Sequence, residues 1–364
     1  PPRSTLFPYT TLFRSPINEE AELLCDVAER GDRATIECLL EAAVTVNLRN
    51  EEKKTPLHLA AAANNIETAQ VLLQNNADIN AGFLDDFYNK QTPLLEAIYA
   101  RHPKMVQMLL EYGAQPDSDL LMKAAEFGTS EIVQLLLERG ADVNSKNALH
   151  KAVIAGNTDT ATLLLDHGAS VNITARDSEN ALHKAAGSGK VEMVQILIEH
   201  GANINAVSCD DVTALHKAAA SGHLDIVQLL IQHGASINVK SKNGVTPLHK
   251  SVRSGNEELV KMLIKEGADI NSADFRGAVP ILIAVSEKQN NIARLLLSFG
   301  ASVNTADVNG NSVLHQAIMS GSKELVLQIL KESLNTVDSQ GRSHLQLAVS
   351  LGDLDIAQLL VEWG

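Results

Sequence analysis

Six histidines stand in one recurring phrase: His58, His150, His183, His216, His249 and His315 each follow a leucine. Imidazole is the side chain best suited to metal ligation and to proton transfer near neutral pH. Both uses need the rings to converge. His150, His183, His216 and His249 are instead spaced by a constant 33 residues. Equivalent positions in packed helical units sit about 10 Å apart, too far to share an ion. No cysteine or carboxylate cluster accompanies them, so the spacing implies a structural histidine and no metal. His167, His200 and His233 each precede a glycine and suit a helix C-terminus, where a partial positive charge is favourable. The chain has no His-Glu-x-x-His, Cys-x-x-Cys or Gly-x-Ser-x-Gly, and no phosphate-cradling glycine loop after a strand. The expectation is a non-enzyme without cofactors.

Lysine follows the histidine position in five successive units, as Lys123, Lys151, Lys184, Lys217 and Lys250. Three and four residues further on come small residues such as Gly187-Ser188 and Ala220-Ser221, so lysine and pair share one helical face. Ammonium groups about 10 Å apart in water repel by only about 0.4 kcal/mol per adjacent pair. Such a row would attract an acidic segment of a partner. The alternative is that lysine was copied along with the units and has no task.

These residues must be positioned by a repeated element. "TPLHLAAAANN" from Thr55, "NALHKAVIAGN" from Asn147, "TALHKAAASGH" from Thr213 and "TPLHKSVRSGN" from Thr246 share one grammar. In the last, Thr246 is the expected N-cap and Pro247 the first helical residue, where a missing N–H costs nothing. Gly255 ends that helix in a left-handed conformation. A second helix presents Leu259, Val260, Leu263 and Ile264 as an apolar stripe, and Gly267 closes it. A fixed period of this length implies small units, each burying its apolar face on a neighbour. Units begin near 22, 55, 92, 119, 147, 180, 213, 246, 279, 312 and 343, an array over residues 16–364.

Phrase, period and the recurring Gly-Ala-x-Val/Ile-Asn ending together resemble the ankyrin repeat, over about residues 17–364. The resemblance implies an all-α solenoid of stacked helix-turn-helix units with β-hairpin or loop connections. It implies that the histidine bonds to backbone near the loops. It also implies that inner helices and hairpin tips form a concave protein-binding face, so the lysine ladder would lie on that face. By register the tips carry Arg176, Asp177 and Glu179; Cys209 and Asp210; Lys242 and Asn243; Phe275 and Arg276; and Arg342. Phe275 with Arg276 is the favoured pair, since both types are enriched at binding hot spots. Asn80, Asn144 and Asn271, in "LLQNNADIN", "LLERGADVN" and "LIKEGADIN", resemble the sites where ankyrin asparagines are hydroxylated. The alternative is that this Asn only holds the turn.

The connections between units depart from the pattern at three places. The connection "AGFLDDFYNKQ" (81–91) is longer than the others and holds Phe83, Leu84, Phe87 and Tyr88 in a chain that is only 3% aromatic. It is either a binding tip or a cluster folded on itself. The connections at "QPDSD" and "NSKN" are shortened, so two tips should be reduced or absent.

Net charge is −14, which disfavours nucleic acid as a partner. Three sparse cysteines, Cys25, Cys38 and Cys209, fit a reducing, cytoplasmic setting, and no apolar run is long enough for a membrane helix. The expected partner is a protein, and the chain is expected to be monomeric. The alternative is the regulatory or substrate-recruiting arm of a larger protein, such as a channel, acyltransferase, ubiquitin-ligase adaptor, kinase, effector or toxin. Pro1–Ser15, "PPRSTLFPYTTLFRS", looks like a translated short-read sequencing adapter and is given no function. "DIAQLLVEWG" stops before the alanine of its unit, so the expectation is an internal fragment.

Overall fold

The computed structural model describes residues 17–84, 90–116, 119–175, 177–330, 337 and 340–363. It divides into two compact units, Pro1–Ser170 and Val171–Gly364. Helices dominate both, as expected of an all-α repeat solenoid.

In the first unit the helices come in pairs: Ile17–Arg30 with Arg33–Glu41, Pro56–Ala62 with Ile66–Gln74, Pro93–Tyr99 with Pro103–Glu111, Leu120–Phe127 with Ser130–Glu138, and Ala148–Ala155 with Thr158–Asp166. In the second they are Ala181–Gly187 with Val191–Glu199, Ala214–Ser221 with Leu224–Gln232, Pro247–Ser254 with Glu257–Lys265, Pro280–Ser286 with Asn290–Ser298, Val313–Ser320 with Lys323–Leu330, and His344–Leu351 with Leu354–Trp363. Within each unit, the first helix of a pair packs on the first helix of the next, and second helices pack on second helices.

The third repeat of the second unit shows why this sequence folds so. The Thr246 side chain caps the His249 amide, and Pro247 opens the helix. His249 returns the bond, because its Nδ1 accepts from the Thr246 N–H at 3.1 Å. Two otherwise orphaned N–H groups are thereby satisfied. Gly255 closes the helix at φ +73, a region costly for residues with a Cβ. Leu259, Val260 and Leu263 of the second helix are fully buried, while Ile264 is half-buried. Complete burial of each such side chain contributes roughly 1.5–3 kcal/mol.

The histidine also ties one repeat to the next. Because Nδ1 accepts the backbone N–H, the ring proton is on Nε2. That proton is donated to Val212 O from His183 (2.9 Å), to Val245 O from His216 (3.0 Å) and to Ala278 O from His249 (3.0 Å). In the first unit His58 reaches Gln91 O at 3.4 Å.

The asparagine that ends each repeat is a second staple. Asn205 Oδ1 accepts from Ser236 N at 2.8 Å while its Nδ2 donates to Gly234 O at 3.1 Å. Asn172 and Asn238 repeat this pattern. Asn205→Ala removes both bonds and leaves exposed groups that water can reach. It is expected to lower stability by about 1–2 kcal/mol, read as a shift of the urea midpoint without a change in slope.

The connection that shortens at "NSKN" has no hairpin. A 3-10 turn, Ser145–Asn147, leads straight into the helix at Ala148, and Asn147 takes φ +63 without capping it. In the longer connection Phe83–Leu84 pairs antiparallel with Lys90–Gln91.

Candidate functional site

The lysine row lies on the first helices, but its charges are largely answered from within the protein. In the first unit, Lys123 Nζ donates to Tyr99 Oη at 3.0 Å, and Lys151 Nζ meets Glu126 Oε2 at 2.9 Å. Glu96, which replaces lysine one repeat earlier, takes Lys54 at 3.4 Å.

In the second unit, Glu179 sits between two rungs. It accepts from Lys184 Nζ at 2.6 Å and pairs with Lys217; Asp177 takes Lys184 as well, at 2.8 Å. Glu179 is only 8% exposed, so the expectation that it is a tip residue open to partners is corrected. Its side chain turns down onto the helix face because two ammonium groups are there to receive it. Burial pushes the Glu179 carboxyl up, but the hydrogen bonds from Lys184 and Lys217 outweigh this and hold it below the usual range. Lys184 shows the mirror image: burial works against its charge, and Asp177 and Glu179 more than restore it.

Lys250 differs from the other rungs. It is half-buried, and its ammonium makes no ion pair or hydrogen bond among the described residues. Burial, with Arg253 and Lys217 nearby, pushes its ammonium down.

The loop tips of the second unit are chained by backbone. Cys209 N donates to Asp177 O (3.2 Å), Lys242 N to Asp210 O (2.9 Å), Phe275 N to Asn243 O (3.0 Å) and Val308 N to Arg276 O (2.9 Å). Phe275 and Val308 stand at successive tips, 73% and 69% exposed. Arg276 is exposed too. Between these tips and the first helices lies a cleft of 240 Å³ lined by Arg253, Asp274, Arg276, Glu287, Asp307 and Gln316, among others. Arg253 leans on Glu287 at 3.6 Å. Val308 and the cleft were not singled out from the sequence; the Asp-x-x-Gly spacing shared by 274–277 and 307–310 is the signal that places Val308 in register with Phe275.

The long connection in the first unit splits its aromatic set. Phe83 is half-buried, its ring 5.5 Å from that of His58. Leu84 is 55% exposed. Phe87 and Tyr88 lie outside the described residues, as does Arg176. Arg342 donates to Ser350 Oγ at 3.4 Å.

Asn80, Asn144 and Asn271 occupy the staple position: their Oδ1 atoms accept from Gln115 N, Ser170 N and Ser302 N at 3.0, 2.9 and 2.8 Å. His167, His200 and His233 bond through Nδ1 to the carbonyl four residues back. Among the described residues no group of three His, Cys, Asp or Glu side chains could hold a metal, and no helix is long and apolar enough to cross a membrane.

The family model "Ankyrin repeats (3 copies)" matches residues 24–119, 121–208, 204–274 and 281–364. The chain belongs to the ankyrin-repeat family. Ankyrin repeats mediate protein–protein interaction and are generally not catalytic. The relatives are varied. Potassium channel AKT2/3 of Arabidopsis thaliana is 31% identical over 37% of this chain and 17% of its own length. Serine/threonine-protein kinase VIK of the same plant is 39% identical over 24% of this chain and 19% of its own. The 26S proteasome non-ATPase regulatory subunit 10 of Dictyostelium discoideum is 34% identical over 29% of this chain and 44% of its own. The matched stretch thus spans less than half of each of these relatives.

Proposed function

We propose that this ankyrin chain is a protein-binding scaffold that holds a partner on the face shared by its first helices and loop tips. What carries the reading is the pair of exposed apolar residues at successive tips, Phe275 and Val308, with Val308 and the exposed Arg276 lining a polar cleft. Aromatic and arginine side chains provide most of the energy of protein interfaces. One edge of the Phe275 ring lies against Gly244, and most of the residue, 73%, remains exposed. The partner presents an acidic segment to the basic groups of this face. The scaffold acts as a monomer in the cytoplasm and catalyses nothing itself. In the second unit Lys184, Lys217 and Lys250 border this face; in the first unit Lys123, Lys151 and Leu84 form a candidate surface of their own.

Phe275→Ala is expected to weaken a captured partner about tenfold or more while leaving the thermal midpoint unchanged. A lowered midpoint with unchanged affinity would turn Phe275 into a structural residue and remove the main support.

A second reading has its own support. Relatives as different as a channel, a kinase and a proteasome subunit each match part of this chain over a minor part of their own length. On that reading the same face is the regulatory or recruiting arm of a larger protein. Asn80, Asn144 and Asn271 are proposed hydroxylation sites. Because each side chain holds a backbone N–H of the next repeat, modification requires that staple to open first. Mass spectrometry of the native protein checks it: a peptide heavier by one oxygen at these residues supports the assignment, and unmodified peptides oppose it.

A further inference from the structure

The lysine row is periodic, but its counter-charges are not. Glu179 stands immediately before the helix-capping Asn180, and from there it reaches Lys184 in its own repeat and Lys217 in the next. The equivalents of Glu179 in the following two repeats are Val212 and Val245. Asp177, three residues before its cap, serves Lys184; the equivalent before Thr246 is Asn243. Lys250 therefore reaches the position where the pattern of acids has run out.

Its other neighbours do not repair the deficit. Arg253, one helical turn on, is a second cation and leans on Glu287. The next first helix carries Ile283, 4% exposed, at the lysine position. The preceding one carries Ala220 and Ser221 where Arg253 and Ser254 stand, so no long side chain at those positions screens Lys250 from that side. A half-buried ammonium without a counter-ion is costly, because it gives up water and gains nothing in return. That cost is recovered when a partner brings the missing charge.

We propose that Lys250 is the specific seat for one Asp or Glu carboxylate of an acidic partner segment, and that the paired rungs Lys184 and Lys217 are not. This rests on the binding face proposed above and narrows it to one residue. A carboxylate suits the place because a single ammonium awaits a single negative charge, whereas Lys184 and Lys217 already share Glu179, and Lys184 has Asp177 as well. The net charge of −14 sets a repulsive background for any polyanion. Selectivity therefore comes from one seated charge within a segment held otherwise by the tips.

The test uses the full chain as bait for a random peptide library, with the recovered peptides as probes. Recovered peptides should carry Asp or Glu, and their affinity should fall about tenfold with Lys250→Met and less than about twofold with Lys184→Met. Replacing the glutamate or aspartate of a recovered peptide by its amide should reproduce the loss on the native chain and add nothing on Lys250→Met. Lys250→Met should also melt at the same or a slightly higher temperature, since it removes an unpaired charge. Peptides lost on Phe275→Ala but indifferent to Lys250→Met would overturn the seat and leave the binding face standing. Peptides indifferent to both, or a library yielding no binder, would overturn both. A clearly lower melting temperature for Lys250→Met would show a structural lysine and overturn the seat.

Discussion

Mild acid is expected to weaken this protein well above the pH at which its carboxylates titrate. Burial pushes the His58 and His216 imidazoles down to about 4, against an ordinary value near 6.5. The geometry gives the reason. The His216 ring is fully buried, so a proton would place a charge away from water, and on Nδ1 it would displace the bond from the Thr213 N–H at 3.2 Å. The unfolded chain takes up the proton more readily than the folded one. The stabilising contribution is therefore fully present above about pH 6.5 and is lost as pH falls toward 4. By pH 5 each of these histidines should have cost on the order of 2 kcal/mol. His183 and His249, also pushed down by burial, act in the same direction.

The chain itself supplies the control. In its last described repeat the histidine position is Gln346, whose Oε1 accepts the Ser343 N–H at 2.9 Å. Glutamine thus makes the same cap without titrating. His216→Gln loses the bond to Val245 O and should be about 1 kcal/mol less stable at pH 7. It should become the more stable protein near pH 5, so that the two stability curves cross. Urea midpoints at pH 7, 6 and 5 measure this; parallel curves would contradict the cap-proton explanation.

The second large effect concerns Glu179. Glu179→Gln leaves two ammonium groups without the carboxylate they share, and it should cost about 2 kcal/mol, within the range for hydrogen bonds to charged groups in partly buried sites. The deficit should be coupled to Lys184: a double-mutant cycle with Lys184→Met is expected to return roughly 1 kcal/mol of interaction. Additive losses would mean that the ion pairs add nothing and that Glu179 matters only through packing. The depressed carboxyl fixes the pH dependence. Its contribution is present above about pH 4.3 and fades as pH falls through the lower folded value. That window lies below the histidine window, so the two effects separate on one titration.

Much of this was readable from the residues, and the division follows from physics. The period, the Thr-x-x-His caps and the apolar stripe of Leu259, Val260 and Leu263 are local patterns that each helix needs in order to start, stop and bury one face. The state of the lysine row was not readable in the same way. Whether an ammonium is free depends on where a carboxylate from a loop or a neighbouring repeat turns, and nothing in the register of Glu179 says that it folds inward rather than out. Phe83 is a similar case. As a loop aromatic it is compatible with a binding tip or with a cluster folded on itself, and its ring sits beside the His58 ring of the preceding repeat. Phe275, by contrast, has the exposure its tip register implied, because the backbone chain Phe275 N to Asn243 O holds the loop out from the helices.

Hydrogen–deuterium exchange of the whole chain, with and without a partner selected for binding, tests the central claim most directly. Binding through the shared face predicts slowed exchange in the first helices Pro247–Ser254 and Pro280–Ser286 and in the tips around 242–243, 275–276 and 308–309, with the second helices Glu257–Lys265 and Asn290–Ser298 unchanged. Protection confined to those second helices would place the partner on the opposite side of the repeats and contradict the assignment.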